Sequence, residues 1–124
     1  MAKKKILIVE DELPLRRALV DKLTREGFLI LEAENGKVGL NLALTKKPDL
    51  ILLDIIMPVM DGMTMLKKLR KDARGKNARV MILSNLSDVK KIHESIIQGS
   101  YDYLIKTDWK IEDVVTKINQ YLQI

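Results

Sequence analysis

The chain of 124 residues contains no cysteine, three prolines, six glycines and a single histidine. Without cysteine it has no disulfide frame, no thiolate zinc site and no cysteine nucleophile. Aromatic residues are only 4% of the chain, so its core must be aliphatic. Long hydrophobic runs are also missing. Near the start the longest is Ile6–Val9, followed at once by Glu10 and Asp11, which is too short for a signal-peptide core or a membrane span. A cytoplasmic protein without membrane contact is therefore expected. There is no repeat, low-complexity tract or Pro/Gly-rich linker to mark a domain boundary, and the length suits one domain, 1–124. The last amphipathic segment closes two residues before the chain ends. An effector domain is thus not expected within it; the chain either acts alone through a partner or is a piece of something longer.

Apolar residues make up 47% and charged residues 31%, which suits a globular chain. The net charge is +5, yet segment 67–79 alone holds seven basic residues and one acid, net +6, leaving −1 for the remainder. That stretch is either a solvated charged face or a docking surface for an acidic partner or a phosphate-rich surface. Neither aromatic interleaving nor a helix-turn-helix signal accompanies it, so direct DNA binding is not expected.

Short apolar runs recur at Ile6–Val9, Phe28–Leu31, Leu50–Leu53, Val80–Leu83 and Tyr101–Ile105, the last broken by Asp102. Apolar runs without alternation suit strands buried on both faces, as in parallel sheets. Between them lie amphipathic stretches. Leu15, Leu19 and Leu23 mark a first helix, with Pro14 near its start and Gly27 at its end. Asn35 or Gly36 through Lys47 reads as a second, Met63–Asp72 as a third, and Ser87–Gln98 as a fourth, with Ser87 as N-cap. Ile111, Val114, Val115, Ile118, Tyr121 and Leu122 form the apolar stripe of a fifth. The alternation implies an α/β fold: a doubly wound parallel sheet of five strands, (βα)5, with helices on both faces. Ligands in such folds bind at the carboxyl ends of the strands.

Those ends carry Glu10-Asp11 after the first strand, Asp54 after the third, Ser84-Asn85 after the fourth and Lys106 after the fifth. Taken singly, each is an ordinary turn carboxylate, loop hydroxyl or surface lysine. Together they make a coherent chemistry. Carboxylates converging on one point repel and call for a hard cation, of which Mg²⁺ is the natural choice for one or two carboxylates plus waters. A lysine and a hydroxyl opposite can hold a phosphoryl group. A carboxylate beside the metal can also be the nucleophile, forming an aspartyl phosphate.

The sequence resembles the receiver domains of two-component response regulators, of the CheY-like kind, over essentially its whole length. The resemblance rests on Glu10-Asp11; on Asp54-Ile55-Ile56-Met57-Pro58-Val59-Met60-Asp61-Gly62, where the family reads D-x-x-M-P-x-x-D/N-G; on Ser84; and on Gly99-Ser100-Tyr101-Asp102-Tyr103-Leu104-Ile105-Lys106. It implies a flavodoxin-like sheet of order 2-1-3-4-5. It further implies that Asp54 accepts a phosphoryl group from the phosphohistidine of a sensor histidine kinase or phosphotransfer protein. Asp11, Asp54 and the backbone carbonyl of Ile56 would bind Mg²⁺, with Glu10 holding a metal-bound water. Lys106 and Ser84 would contact the phosphoryl oxygens, and Tyr103 would be the aromatic switch. The fourth helix, fifth strand and fifth helix would form the readout face for a downstream partner or output domain, with the chain a monomer or a phosphorylation-dependent dimer through that face. Such a chain is a switch that catalyses its own phosphorylation and dephosphorylation, not a turnover enzyme.

Three positions depart from the family pattern. Glu10 replaces the commoner Asp, Asn85 stands where a small residue is usual, and Thr107 follows Lys106 where proline with a cis bond is usual. Because a cis non-proline bond costs about 2.5–4 kcal/mol, either a trans bond with an altered loop or a strained cis bond held by the site is expected at Lys106–Thr107. Ile56 and Leu86, two residues beyond Asp54 and Ser84, are apolar and would not orient an attacking water, so slow hydrolysis of the aspartyl phosphate is expected. His93 is expected on the readout face, half-exposed, Trp109 in packing, and Met57, Met60, Met63 and Met65 in loop and helix packing. Two other readings stay open. One is a receiver-like interaction module that works without phosphorylation. The other is a phosphatase or small-molecule phosphotransferase, against which stands Ile56 where a D-x-D family would carry aspartate.

Overall fold

The computed structural model describes residues 3–84, 89–99, 102–105 and 110–123. Five strands and five helices alternate: β1 (Lys5–Val9), α1 (Leu13–Arg25), β2 (Leu29–Ala33), α2 (Gly36–Lys46), β3 (Leu50–Leu53), α3 (Gly62–Lys71), β4 (Val80–Ser84), α4 (Val89–Ile97), β5 (Asp102–Ile105) and α5 (Ile111–Leu122). All strand pairs are parallel, in the order β2-β1-β3-β4-β5.

The two-residue period of the strands divides the core between the faces of the sheet. Leu7, Val9, Ile51, Leu53, Val80 and Ile82 pack on one side with Met63, Met65, Leu66 and Leu69 of α3 and Ala43 of α2. Ile6, Ile8, Leu50, Leu52, Met81 and Leu83 pack on the other with Leu19 and Leu23 of α1 and Val114, Val115, Ile118 and Leu122 of α5. Both faces of the central strands are thus covered, which is why they read as unbroken apolar runs. Met57, Met63 and Met65 are buried and Met60 packs against the same cluster, as expected for methionines in packing.

The second strand departs from expectation. It runs Leu29–Ala33, starting a residue later than Phe28 and extending to Ala33, and it is not buried on both faces: Leu29 is 50% exposed. As the edge strand it has a neighbour on one side only, and its outer face is incompletely covered. Phe28 stays in the core just ahead of it, its N–H donating to the Leu23 carbonyl at 3.1 Å. Smaller boundary shifts have local causes. The second helix stops at Lys46 because Lys47 enters the left-handed region (φ 47°) ahead of Pro48. The third begins at Gly62, capped by Asp61, whose Oδ1 accepts from the Thr64 N–H at 2.8 Å. The fourth strand reaches Ser84. Ser87, the expected N-cap of α4, lies outside the described residues, as does Trp109.

Candidate functional site

Parallel pairing aligns the carboxyl ends of β1, β3 and β4. Val9 pairs with Leu53, so Glu10 and Asp54 leave the sheet side by side, and the Asp54 N–H donates to the Val9 carbonyl at 3.0 Å. On the other flank Glu10 N–H donates to the Ala33 carbonyl of β2 at 3.0 Å. Leu53 pairs with Ile82 on β4, and Ser84 ends that strand two residues on. Three polar side chains are therefore buried at one edge of an apolar sheet: Glu10, Asp54 and Ser84, at 2%, 5% and 0% exposure.

Glu10, Asp11 and Asp54 each present a carboxylate oxygen within 4.8 Å of the others; Asp11 is exposed. Such a cluster is electrostatically strained unless something offsets its charge. Asp54 Oδ1 accepts from the Ile55 N–H at 2.8 Å, which orients the carboxylate. Glu10 Oε2 accepts from the Glu12 N–H at 3.2 Å, closing the turn into α1.

The loop after Asp54 is held from behind. Gly62 N–H donates to the Ile55 carbonyl at 2.8 Å, and Gly36 N–H to the Met60 carbonyl at 2.9 Å. A side chain at position 62 would collide with the backbone of Asp54 and Ile55, so only glycine lets α3 start this close to the cluster. The loop also holds a strained residue: Val59 sits at φ 68°, unusual for a β-branched side chain, and is 76% exposed. Ile56 is 59% exposed, an apolar side chain standing in solvent beside the carboxylates.

Two arginines that the sequence did not single out organise the surroundings. Arg16 of α1 donates Nη1–H to the Glu10 carbonyl at 2.8 Å and Nε–H to Glu32 at 3.1 Å, tying β1 to β2 behind the cluster. Arg70 of α3 donates to the carbonyls of Gln98 (2.6 Å), Gly75 (2.9 Å) and Gly99 (3.0 Å). The last turn of α4 has no basic residue of its own, so Arg70 supplies its positive cap from α3. A cation six residues after Glu10 in the first turn of α1 was a usable signal for Arg16; nothing in the sequence linked Arg70 to residues 98 and 99.

Of the residues expected at the site, Glu10, Asp11 and Asp54 come together and Ser84 ends the neighbouring strand. The Ile56 side chain points to solvent. Tyr103 belongs to β5, its Cα opposite Ile82, and Ser84 pairs with Ile105. Lys106 follows directly on Ile105 but lies outside the described residues, as do Asn85, Leu86 and Thr107; the expectation about the Lys106–Thr107 bond falls there too. His93 is exposed on α4. No helix among the described residues is long and apolar enough to cross a membrane.

Comparison with known proteins bears on this arrangement. Residues 6–119 match the family model of the response regulator receiver domain. The chain is 32% identical over 124 residues to sporulation initiation phosphotransferase F of Bacillus subtilis, covering all of this chain and 98% of that protein. It is 35% identical over 104 residues to the probable transcriptional regulator ycf27 of Guillardia theta, covering 84% of this chain but only 40% of that longer protein. Its fold matches the chain in the crystal structure of the CheX–CheY–BeF3–Mg+2 complex from Borrelia burgdorferi with a TM-score of 0.85 at 28% identity, over 96% of this chain and 89% of that one. With its flavodoxin-like parallel sheet, its acidic cluster at the strand ends and this match over nearly its whole length, the chain belongs to the family of response regulator receiver domains.

Proposed function

We propose that residues 1–124 form a phosphorylation-switched receiver domain that takes a phosphoryl group onto Asp54 from the phosphohistidine of a sensor histidine kinase or phosphotransfer protein. Domains of this family are signalling switches that work with histidine kinases or phosphotransferases and with output domains. The observation that carries the reading is the meeting of Glu10, Asp11 and Asp54, oxygens within 4.8 Å, at the ends of two adjacent strands.

The donor set fits Mg²⁺: all oxygen, hard, and too concentrated in charge to be comfortable alone. Asp11, Asp54 and the carbonyl of Ile56 would hold the ion, with Glu10 on one of its waters. Bound there, it would neutralise the cluster and the incoming phosphoryl charge. The chain's own residues do the rest. The Asp54 carboxylate, oriented by the Ile55 N–H, attacks phosphorus as the P–N bond to the donor histidine breaks, and the electron pair leaves with the imidazole. Ser84 would donate its hydroxyl to one phosphoryl oxygen and Lys106 would pair with another. The added charge of about −1.5 to −2, by analogy with other phosphoryl groups, would draw Ser84 inward and shift the population in which Tyr103 is turned in.

The readout face would be α4, β5 and α5, serving a downstream partner, an output domain or a second copy of the chain. Ile96 and Ile97, 59% and 66% exposed on α4, are in keeping with a partner there. We assign the domain to the cytoplasm and give it no direct DNA contact. The test is incubation with acetyl phosphate and Mg²⁺ followed by intact mass. A gain of one phosphoryl group that is lost on adding EDTA beforehand and abolished by Asp54→Asn is expected. No gain, or a gain that survives Asp54→Asn, would leave the phosphorylation-independent interaction module as the reading. The Borrelia complex contains BeF3 and Mg²⁺, which recommends the same pair as a stable mimic for this chain.

A further inference from the structure

Each helix runs back against the strand direction, so every helix C-terminus returns to the amino edge of the sheet, opposite the acidic cluster. Four stretches meet there: 3–5 before β1, 25–28 between α1 and β2, 46–49 between α2 and β3, and 71–79 between α3 and β4. Their proximity is visible in the bonds between them. Lys5 N–H donates to Asp49 Oδ2 and Asp49 N–H to the Lys5 carbonyl, both at 2.7 Å; Lys5 Nζ reaches the Lys46 carbonyl at 2.9 Å; Leu29 N–H reaches the Lys4 carbonyl at 2.9 Å; and Ile51 N–H reaches the Arg79 carbonyl at 2.9 Å. These stretches hold ten basic residues (Lys3, Lys4, Lys5, Arg25, Lys46, Lys47, Lys71, Arg74, Lys76 and Arg79) and three acids (Glu26, Asp49 and Asp72), net +7 against +5 for the whole chain. All other residues together sum to −2. The molecule is electrically polar, and residues far apart in sequence make it so.

Part of this excess has a local cause, since cations in a last helical turn complement the helix dipole. That accounts for Lys46 and Lys71 but not for Lys3, Lys4 or Lys76, which lie in no helix. The arginines of the edge are already engaged. Arg74 bonds to Asp72 through Nε and Nη2 at 3.1 and 3.0 Å, and holds that carboxyl below the usual carboxylate range; Arg25 Nε bonds to the Asp21 carbonyl at 3.3 Å and Arg79 Nη1 to the Tyr121 carbonyl at 3.5 Å. At this edge, the exposed cations whose side chains make neither a hydrogen bond nor an ion pair among the described residues are all lysines.

We propose that this amino edge is a docking surface for an acidic protein segment, engaged through Lys3, Lys4, Lys46, Lys47, Lys71 and Lys76. Charge complementarity argues for a polyanion, and two features favour carboxylates over a nucleic-acid backbone. Helix C-termini present carbonyls there, so the backbone N–H groups that cradle phosphate at helix N-termini are absent from this edge. The one arginine fork that is fully formed at this edge, Arg74, is already engaged by Asp72, and Arg25 and Arg79 each give one nitrogen to a carbonyl of the chain, so the cations left wholly to a partner are lysines. Mobile lysine ammoniums read charge density without demanding geometry, which suits an extended run of Asp and Glu. Because the surface is opposite the phospho-acceptor edge, one partner could be held there while another faces Asp54.

The test is fluorescence anisotropy of labelled polyglutamate with the full chain at low ionic strength. Two variants change net charge equally: Lys47→Glu with Lys76→Glu on the proposed edge, and Lys37→Glu with Lys110→Glu at the opposite edge. The first pair is expected to weaken binding about tenfold, the second less than about twofold, with binding lost as salt rises. Lys3→Glu with Lys4→Glu, ahead of β1, repeats the test should the first pair disturb folding by circular dichroism. Equal losses from both edges, no polyglutamate binding, or tighter binding of random-sequence duplex DNA than of polyglutamate at the same salt would each overturn the proposal.

Discussion

Replacing Asp54 by asparagine should make the protein more stable in the absence of divalent cations. Asp54 faces two other carboxylates, with oxygens within 4.8 Å. Two unit charges at that distance repel by about 3.5 kcal/mol at an effective dielectric of about 20, and by about 0.9 kcal/mol in bulk water. The Glu10–Asp54 pair is buried and belongs toward the larger figure, whereas Asp11 is exposed and its pair belongs toward the smaller. Asparagine removes both repulsions and keeps a carbonyl oxygen for the Ile55 N–H. After allowing for solvent relaxation, a gain of about 1–3 kcal/mol is expected. Urea denaturation of both proteins in EDTA reads it directly. Repeating the titration with Mg²⁺ should raise the wild type by about 1.4 kcal/mol at tenfold excess over its Kd, with a smaller rise for the variant, so the gap narrows. A variant no more stable than wild type in EDTA, or one that Mg²⁺ stabilises equally, would refute the idea that Asp54 belongs to a charge-strained cation site.

Gly62→Ala should destabilise by at least about 1–3 kcal/mol and slow phosphorylation by acetyl phosphate, because the new methyl meets the backbone of Asp54 and Ile55; unchanged urea midpoint and rate would contradict this. Val59→Gly should stabilise by about 1 kcal/mol by relieving the left-handed β-branched residue, read as a higher denaturation midpoint with the same slope. Arg70→Gln should cost about 2–3 kcal/mol, since it strips three carbonyls of a charged donor, and hydrogen exchange should rise first at 97–99; protection unchanged there would dismiss the clamp. Ile56→Asn places an amide where an apolar side chain now stands exposed, and loss of phosphoryl from Asp54, followed by intact mass, should quicken; an unchanged rate would remove Ile56 as the reason for slow hydrolysis.

Much of this molecule was legible from local sequence because its rules are local. A strand buried on both faces must be apolar at every position, which is why Leu50–Leu53 and Ile6–Val9 announced themselves. The caps were less legible: Asn35 and Asp61 close their helices through bonds spanning only three residues, yet the sequence singled out neither as a cap, and the expected start of the third helix is Met63 and not Gly62. The motif around Asp54 was readable because family resemblance lies in consecutive residues. Edge position is another matter: nothing in Phe28–Leu31 itself says that its strand has a neighbour on one side only, and the run reads as buried on both faces although the implied order 2-1-3-4-5 already places it at the edge.

What the sequence by itself determined, then, is the alternation of elements, the polar residues that end each strand and the family they resemble. The resemblance implied that Glu10, Asp11 and Asp54 share one ion; only the tertiary structure puts their oxygens within 4.8 Å of one another. Parallel pairing carries Glu10 and Asp11 to Asp54 across more than forty residues of chain, and the same return of each helix gathers Lys3, Lys4, Lys46, Lys47 and Lys76 at the far edge. The +5 charge, which in sequence seemed to reside in one stretch, is in space a basic edge set against an acidic one. The reason is physical: hydrophobic period and caps act over a few residues, whereas electrostatic fields add over whatever the fold brings within a Debye length.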